Sequence, residues 1–315
     1  MHGKRWGVAL LFALMMAAPS AASAAAGPLL SLTPEQVGGD RVTLVGQQWR
    51  VRVVMQPWVE GQTATVRFYR HGRRVAAVPV TFQPSPTGKS GMAVVPFKSK
   101  LSARVEVRAS HLATPALPTL VAKPVRVTVA PLHASAGARG PAVRLLQSEL
   151  SRLGYVTGKP GLYDDRTGRA VLAFRKVTGM ARTTLASSEV FRALAKGKGQ
   201  FKLRHPEHGK HVEADLSRQV IALAQGGKVE RIYTVSSGKP STPTVIGSFR
   251  VYSKSPGFNA EGMYFSNYFI RGYAIHGYAD VPVFAASHGC LRVPIPDAIS
   301  IYSWLKIGNI VDVYP

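Results

Sequence analysis

The chain's one cysteine, Cys290, lies in the run Ser287-His288-Gly289-Cys290-Leu291-Arg292, downstream of Ile275-His276-Gly277-Tyr278. These residue types suit nucleophilic attack on a carbonyl. A thiol attacks only as thiolate, and with an ordinary pKa of about 8.5 only a few per cent is ionised at neutral pH. A histidine that takes the proton lifts that limit, by at most about thirtyfold in rate. The larger share of any acceleration must come from an oxyanion hole and from positioning. Gly289 permits a sharp turn, so that the amides of Gly289 and Cys290 can face a developing oxyanion. Arg292 can anchor a substrate carboxylate.

Two histidines compete for the role of base. His288 is near Cys290 in sequence, but residues at i and i+2 touch only if the backbone cooperates. His276 would come from an adjacent strand, where its second ring nitrogen can be held by a backbone carbonyl. Asp280 is the one acid near either histidine, so a Cys–His–carboxylate triad is not evident. A competing reading makes His276, His288 and Cys290 zinc ligands. A chelator, rather than a thiol reagent, would then abolish activity.

The elements that must position these groups read as mostly β with one helix over 210–315. Val212–Leu216 and Val220–Ala224 are strands, and Val229–Val235 follows the turn Gln225-Gly226-Gly227-Lys228. Gly247–Tyr252 and Met263–Tyr273 continue in the same style. Pro296 suits the first turn of a helix over Asp297–Leu305, and Asn309–Tyr314 closes the domain as a last strand.

Upstream, residues 30–130 read as an immunoglobulin-like sandwich. About seven alternating runs are separated by turn residues, as in Trp49-Arg50-Val51-Arg52-Val53. No catalytic constellation occurs there, so a spacer or binding module is expected. Residues 132–196 begin with a linker and then show helical spacing. Val143, Leu146, Leu150 and Leu153 form one stripe, ended by Gly154. Asp164 or Asp165 can cap a second helix carrying Ala170, Val171, Phe174 and Val177. A third runs from Ser187 to Ala195. His205, His208 and His211 could hold a metal on a helix, but Pro206 and Gly209 argue against one, so a solvated linker is expected there.

Residues 1–26 read as a secretory signal. His2, Lys4 and Arg5 precede an apolar run from Trp6 to Ala18, and Ala22-Ser23-Ala24 or Ala24-Ala25-Ala26 offers a cleavage site. An uncleaved anchor is the alternative. A secreted, periplasmic or cell-wall location follows. An exported chain with one cysteine forms no internal disulfide, which leaves the thiol inert or kept for chemistry. The formal net charge is +24. In an exported protein this points to anionic wall polymers, anionic lipid headgroups or extracellular polysaccharide rather than nucleic acid. Since the basic residues are spread and form no compact block, a solvated cationic surface without a specific polyanion site is the leading expectation.

The run His276-Gly277 followed by Ser287-His288-Gly289-Cys290-x-Arg292 resembles the catalytic motif of the L,D-transpeptidase (YkuD-type) family. Ser241-Thr242-Pro243-Thr244 with Gly247-Ser248-Phe249 resembles an upstream stretch of the same family. The resemblance implies Cys290 as nucleophile, His276 as base and the Gly277 carbonyl as its orienting group. It also implies that Ser287, His288 and Gly289 shape the loop, with Arg292 and Tyr278 on the substrate side. The gap between His276 and Ser287 is shorter than in many members. The implied reaction is acyl transfer on peptidoglycan stem peptides. A thioester forms with release of D-alanine, and an amine resolves it to a 3→3 cross-link, with no cofactor and no metal. Water in place of the amine would give an L,D-carboxypeptidase, and a relic motif would leave a non-catalytic wall-binding protein.

The helical stretch resembles the peptidoglycan-binding three-helix domain. The resemblance rests on Val143, Leu146-Gln147, Leu150, Leu153-Gly154-Tyr155, Gly161-x-Tyr163, Thr167, Ala170-Val171 and Phe174. It implies glycan or stem-peptide binding. Arg175 stands where glutamine is usual, and the region Met180–Ser188 is irregular. The whole is expected to be multidomain and mainly β.

Overall fold

The computed structural model describes residues 27–315, so the expected export signal at 1–26 lies outside the described residues. The architecture is multidomain and mainly β, as expected. Ten strands come first: β1 (Leu29–Glu35), β2 (Val42–Leu44), β3 (Gln48–Gln56), β4 (Thr63–Arg70), β5 (Arg73–Thr81), β6 (Gln83–Pro84), β7 (Gly91–Lys98), β8 (Ala103–His111), β9 (Leu120–Val121) and β10 (Val125–Ala130). One sheet runs β1-β3-β7-β6; the other runs β2-β10-β8-β4-β5, with β9 beside β8. Alternation drives the sandwich. Along β3, Trp49, Val51, Val53 and Met55 are buried while Arg50 and Arg52 face solvent. Each such buried side chain contributes about 1.5–3 kcal/mol. β1 buries Leu30 and Leu32 in alternation and carries Pro34, while the two-residue β6 is exposed and carries Pro84. Both are edge strands, where a missing N–H leaves no gap in the ladder.

Three helices follow: α1 (Pro141–Arg152), α2 (Asp165–Val177) and α3 (Ser188–Ala195). Pro141 opens α1, and Asp164 caps α2 by accepting the Thr167 N–H at 2.9 Å. Arg175 and the irregular Met180–Ser188 region explain each other. The buried guanidinium donates to Ala181 O at 2.6 Å, Leu185 O at 3.3 Å and Ser187 Oγ at 3.2 Å, and so holds that loop from inside.

The helical core is shared on both sides. Leu146, Leu150, Val171 and Phe174 form one cluster with Val42, Leu44 and Ala130 of the sandwich and with Val220, Ala222, Ile232 and Tyr314 of the C-terminal part. Two polar clasps add to it. Arg169 Nε bonds Asp297 at 2.8 Å. The buried Lys176 ammonium donates to Gln219 O at 3.0 Å, Thr234 Oγ1 at 2.5 Å and Val235 O at 3.2 Å, and burial lowers its pKa to about 7.

The C-terminal part contains β11 (His211–Asp215), β12 (Val220–Gln225), β13 (Lys228–Thr234), β14 (Gly247–Arg250), β15 (Ser253–Phe258), β16 (Tyr264–Ile270), β17 (Tyr273–Tyr278), β18 (Leu291–Pro294), α4 (Ile295–Trp304) and β19 (Ile310–Tyr314). One sheet is ordered β13-β12-β11-β19-β14 and the other β15-β16-β17-β18. Val212, Ile221, Ile275, Leu291, Ile301 and Val311 belong to the core that the sheets and α4 enclose. One expectation needs correction and another holds only in part. The run Met263–Tyr273 is not one strand: Arg271, at φ 49°, and Gly272 turn it into the β16–β17 hairpin. The segment before β11 is exposed at Pro206, Glu207 and Gly209, as a solvated linker would be, but His208 departs from that expectation, because its Nδ1 meets the buried Asp312 at 3.0 Å.

Candidate active site

β17 and β18 pair in parallel, with Ile275 opposite Leu291 and His276 opposite Arg292. Alternation then sorts the side chains. Ile275, Leu291 and Val293 enter the core. Gly277 shares their face, because a Cβ there would stand 2.8 Å from Ala298 Cβ on α4. His276 and Arg292 take the opposite face. Cys290, one residue ahead of β18, continues that register beside Ala274 and diagonal to His276, a relation that places Cβ atoms roughly 6–7 Å apart.

His276 is buried. Its Nδ1 lies 2.9 Å from Gly277 O, and since a carbonyl only accepts, Nδ1 carries the proton and Nε2 keeps a lone pair. The Tyr278 ring stands edge-on to the imidazole at 5.7 Å, and the Arg292 guanidinium lies 4.1 Å over Tyr278. Burial is the main reason that the His276 pKa falls to about 4. The Gly277 carbonyl opposes that shift, and the nearby Arg292 charge adds to it. The Cys290 thiol is half-buried and reaches solvent, with Sγ 3.8 Å from Gly272 O. Burial pushes its pKa up, against a smaller pull from the Ala274 amide and Arg292. At rest the pair is therefore neutral.

The loop before Cys290 is tied by Ser287, whose Oγ donates to Cys290 O at 2.6 Å and accepts the Gly289 N–H at 3.1 Å. That bond corrects one expectation. The Gly289 amide is engaged within the loop and is not free for an oxyanion, while the Cys290 amide makes no loop hydrogen bond among the described residues. Gly289 sits at φ +118°, and a Cβ there would lie 2.3 Å from Tyr273 Cε1, so only glycine fits. His288 is exposed, with Nε2 3.3 Å from Lys239 Nζ.

Residues 236–242 brace this loop from the other side. Ser236 exchanges backbone bonds with Arg292, Ser237 O accepts the Ser287 N–H at 2.9 Å, and Thr242 Oγ1 donates to Ser287 O at 3.1 Å. Thr244 Oγ1 accepts the Gly238 N–H at 2.9 Å, so the upstream threonine-proline stretch positions the loop. Gln219 and Ser237 complete the brace, with Gln219 Nε2 donating to Ser237 Oγ at 2.6 Å. Their spacing in sequence gave no sign of it.

Two family models match the chain: the L,D-transpeptidase catalytic domain over residues 209–313 and the putative peptidoglycan binding domain over residues 139–194. Among solved structures, the L,D-transpeptidase of Xylanimonas cellulosilytica is 34% identical with a TM-score of 0.55, and the match covers 59% of this chain and 98% of that one. An L,D-transpeptidase from Stackebrandtia nassauensis is 21% identical with a TM-score of 0.38, over 58% of this chain and 96% of the other. A search of curated proteins found no match. The chain belongs to the L,D-transpeptidase family, and it carries a peptidoglycan-binding domain ahead of the catalytic one.

Proposed function

We propose that this protein forms 3→3 cross-links in peptidoglycan through a thioester on Cys290. The observation that carries the reading is the placement of a solvent-reaching sulfur on the same sheet face as a buried imidazole whose Nε2 lone pair is free. Cys290 Sγ attacks the carbonyl between the third stem residue and the terminal D-alanine. His276 Nε2 takes the thiol proton during attack and returns it to the departing D-alanine amine. The Cys290 amide receives negative charge on the attacked carbonyl oxygen. An amine of a neighbouring stem then displaces the thiol and closes the cross-link. Arg292 and Tyr278 flank the acyl site, where the guanidinium suits a stem carboxylate. The helical domain and the +24 charge hold the enzyme on the wall, the latter through anionic polymers that salt would displace.

The test is intact-mass analysis after incubation with a disaccharide-tetrapeptide and, separately, with meropenem. An adduct on Cys290 that is lost in Cys290→Ala, together with cross-linked dimer, supports the reading. Trimmed monomer without dimer would make the enzyme an L,D-carboxypeptidase. Absence of any adduct would leave a wall-binding protein.

A further inference from the structure

The turn that leads into β11 holds a cluster that acyl transfer does not use. His205, Pro206, Glu207 and His208 form a turn closed by the His208 N–H to His205 O bond of 3.1 Å. The turn achieves what a helix would have done for the same spacing. The two imidazoles stack with centroids 4.7 Å apart and planes 10° apart. Asp312, buried on β19, meets them from below. His208 Nδ1 lies 3.0 Å from Asp312 Oδ2, and Ser248 Oγ donates to Oδ1 at 2.5 Å. One ligand atom from each of His205, His208 and Asp312 lies within 4.8 Å of the others. Glu207 Oε1 stands 3.4 Å from His205 Nδ1 and 3.5 Å from His208 Nε2.

We propose that His205, His208 and Asp312 bind a zinc ion, with water in the fourth position. Zinc bonds of about 2.0–2.2 Å at tetrahedral angles separate ligand atoms by about 3.3 Å. The donors therefore need shifts of about 1.5 Å or less, and the two imidazoles have room for them, with side-chain exposures of 37% and 25%. Two imidazoles with one carboxylate form a borderline donor set that suits zinc over calcium or magnesium. Ser248 orients Asp312, as a supporting hydrogen bond does for a carboxylate ligand. Zinc replaces the proton that His208 Nδ1 now donates to Asp312, and that proton leaves to solvent. The bound ion fastens the connection from the helical unit to the last strand of the catalytic domain.

The experiment uses the full chain without a polyhistidine tag, stripped by chelator and titrated with zinc sulfate against a chromophoric competitor. Cobalt(II) supplies a visible spectrum that reports tetrahedral geometry. The Cys290→Ala chain is run in parallel, because Cys290, His276 and His288 offer a competing thiolate–imidazole donor set. The expected result is one ion per chain in both, with a tetrahedral cobalt band. His205→Ala and His208→Ala should each weaken binding about tenfold or more. Asp312→Asn should do the same, while the two surface histidine variants keep the test valid if the buried change disturbs folding. No stoichiometric binding at micromolar zinc overturns the proposal. So does binding that survives both histidine variants, or that disappears in Cys290→Ala. A chain that forms the acyl-enzyme yet binds no zinc refutes this inference alone.

Discussion

Alkylation of Cys290 by iodoacetamide between about pH 5 and about pH 10 tests whether a thiolate exists before substrate arrives. The perturbation is pH, and the structure sets the expected profile. The thiol is raised above its ordinary range of about 8.5–9 and the imidazole is lowered to about 4. A gap of at least about 5 pH units makes proton transfer from sulfur to ring cost about 7 kcal/mol. The opposite charges so created attract by about 3 kcal/mol at roughly 6 Å and an effective dielectric of about 20. About 4 kcal/mol remains, so roughly one molecule in a thousand carries the ion pair. Direct loss of the proton to solvent therefore supplies most of the thiolate. With the thiol raised above about 9, less than about 1% is ionised at neutral pH, against a few per cent for a free thiol, so Cys290 should alkylate at least about threefold more slowly than an exposed reference thiol. Its rate should climb tenfold per pH unit to beyond pH 9. His276→Ala should barely change this neutral-pH rate, yet lower acyl transfer from stem peptide by about 10²–10⁴-fold, because the base acts only during attack. A flat, fast alkylation rate between about pH 5 and about pH 8, lost in His276→Ala, would refute the reasoning and show a preformed thiolate–imidazolium pair.

Gly289→Ala should abolish acylation and destabilise the chain by about 1–3 kcal/mol, read by urea unfolding, since the new methyl meets Tyr273 at 2.3 Å with φ at +118°. Unchanged acylation would show that the loop tolerates another path. Arg175→Ala should cost about 2–4 kcal/mol, because Ala181 O, Leu185 O and Ser187 Oγ lose their donor. Protease cleavage within 180–188 should rise with it; equal cleavage in both chains would place the loop's order elsewhere. The His276 pKa of about 4 lies below the unfolded value of 6.5, so the unfolded chain binds the extra proton between these values. Stability is full above about pH 6.5 and falls by about 3 kcal/mol as pH drops through about 4. Comparing urea midpoints of wild type and His276→Gln across that window checks the sign, and identical slopes would contradict it.

Much of the site was legible because its chemistry is compressed into short runs. A cysteine between Gly289 and Arg292, and a glycine after His276, are local facts that need no fold. The strand pattern was legible for the same reason: alternation in β3 and helical spacing in α1 are set by which face each residue must bury. β6 was not, since a two-residue exposed edge strand shows no alternation and tolerates proline. Tyr273, whose ring forbids a side chain at residue 289, left no signal, because contacts across strands have no fixed sequence spacing.

The sequence alone singled out Cys290 and its glycine turn and set the order of the three folded parts, all properties carried by neighbours along the chain. Tertiary structure decided the rest. It placed His276 diagonal to Cys290 through the β17–β18 register and occupied the Gly289 amide with Ser287. It kept both titrating groups neutral and brought His208 to Asp312. Register, burial and desolvation arise only between segments distant in sequence, and desolvation is what sets whether a charge exists at all.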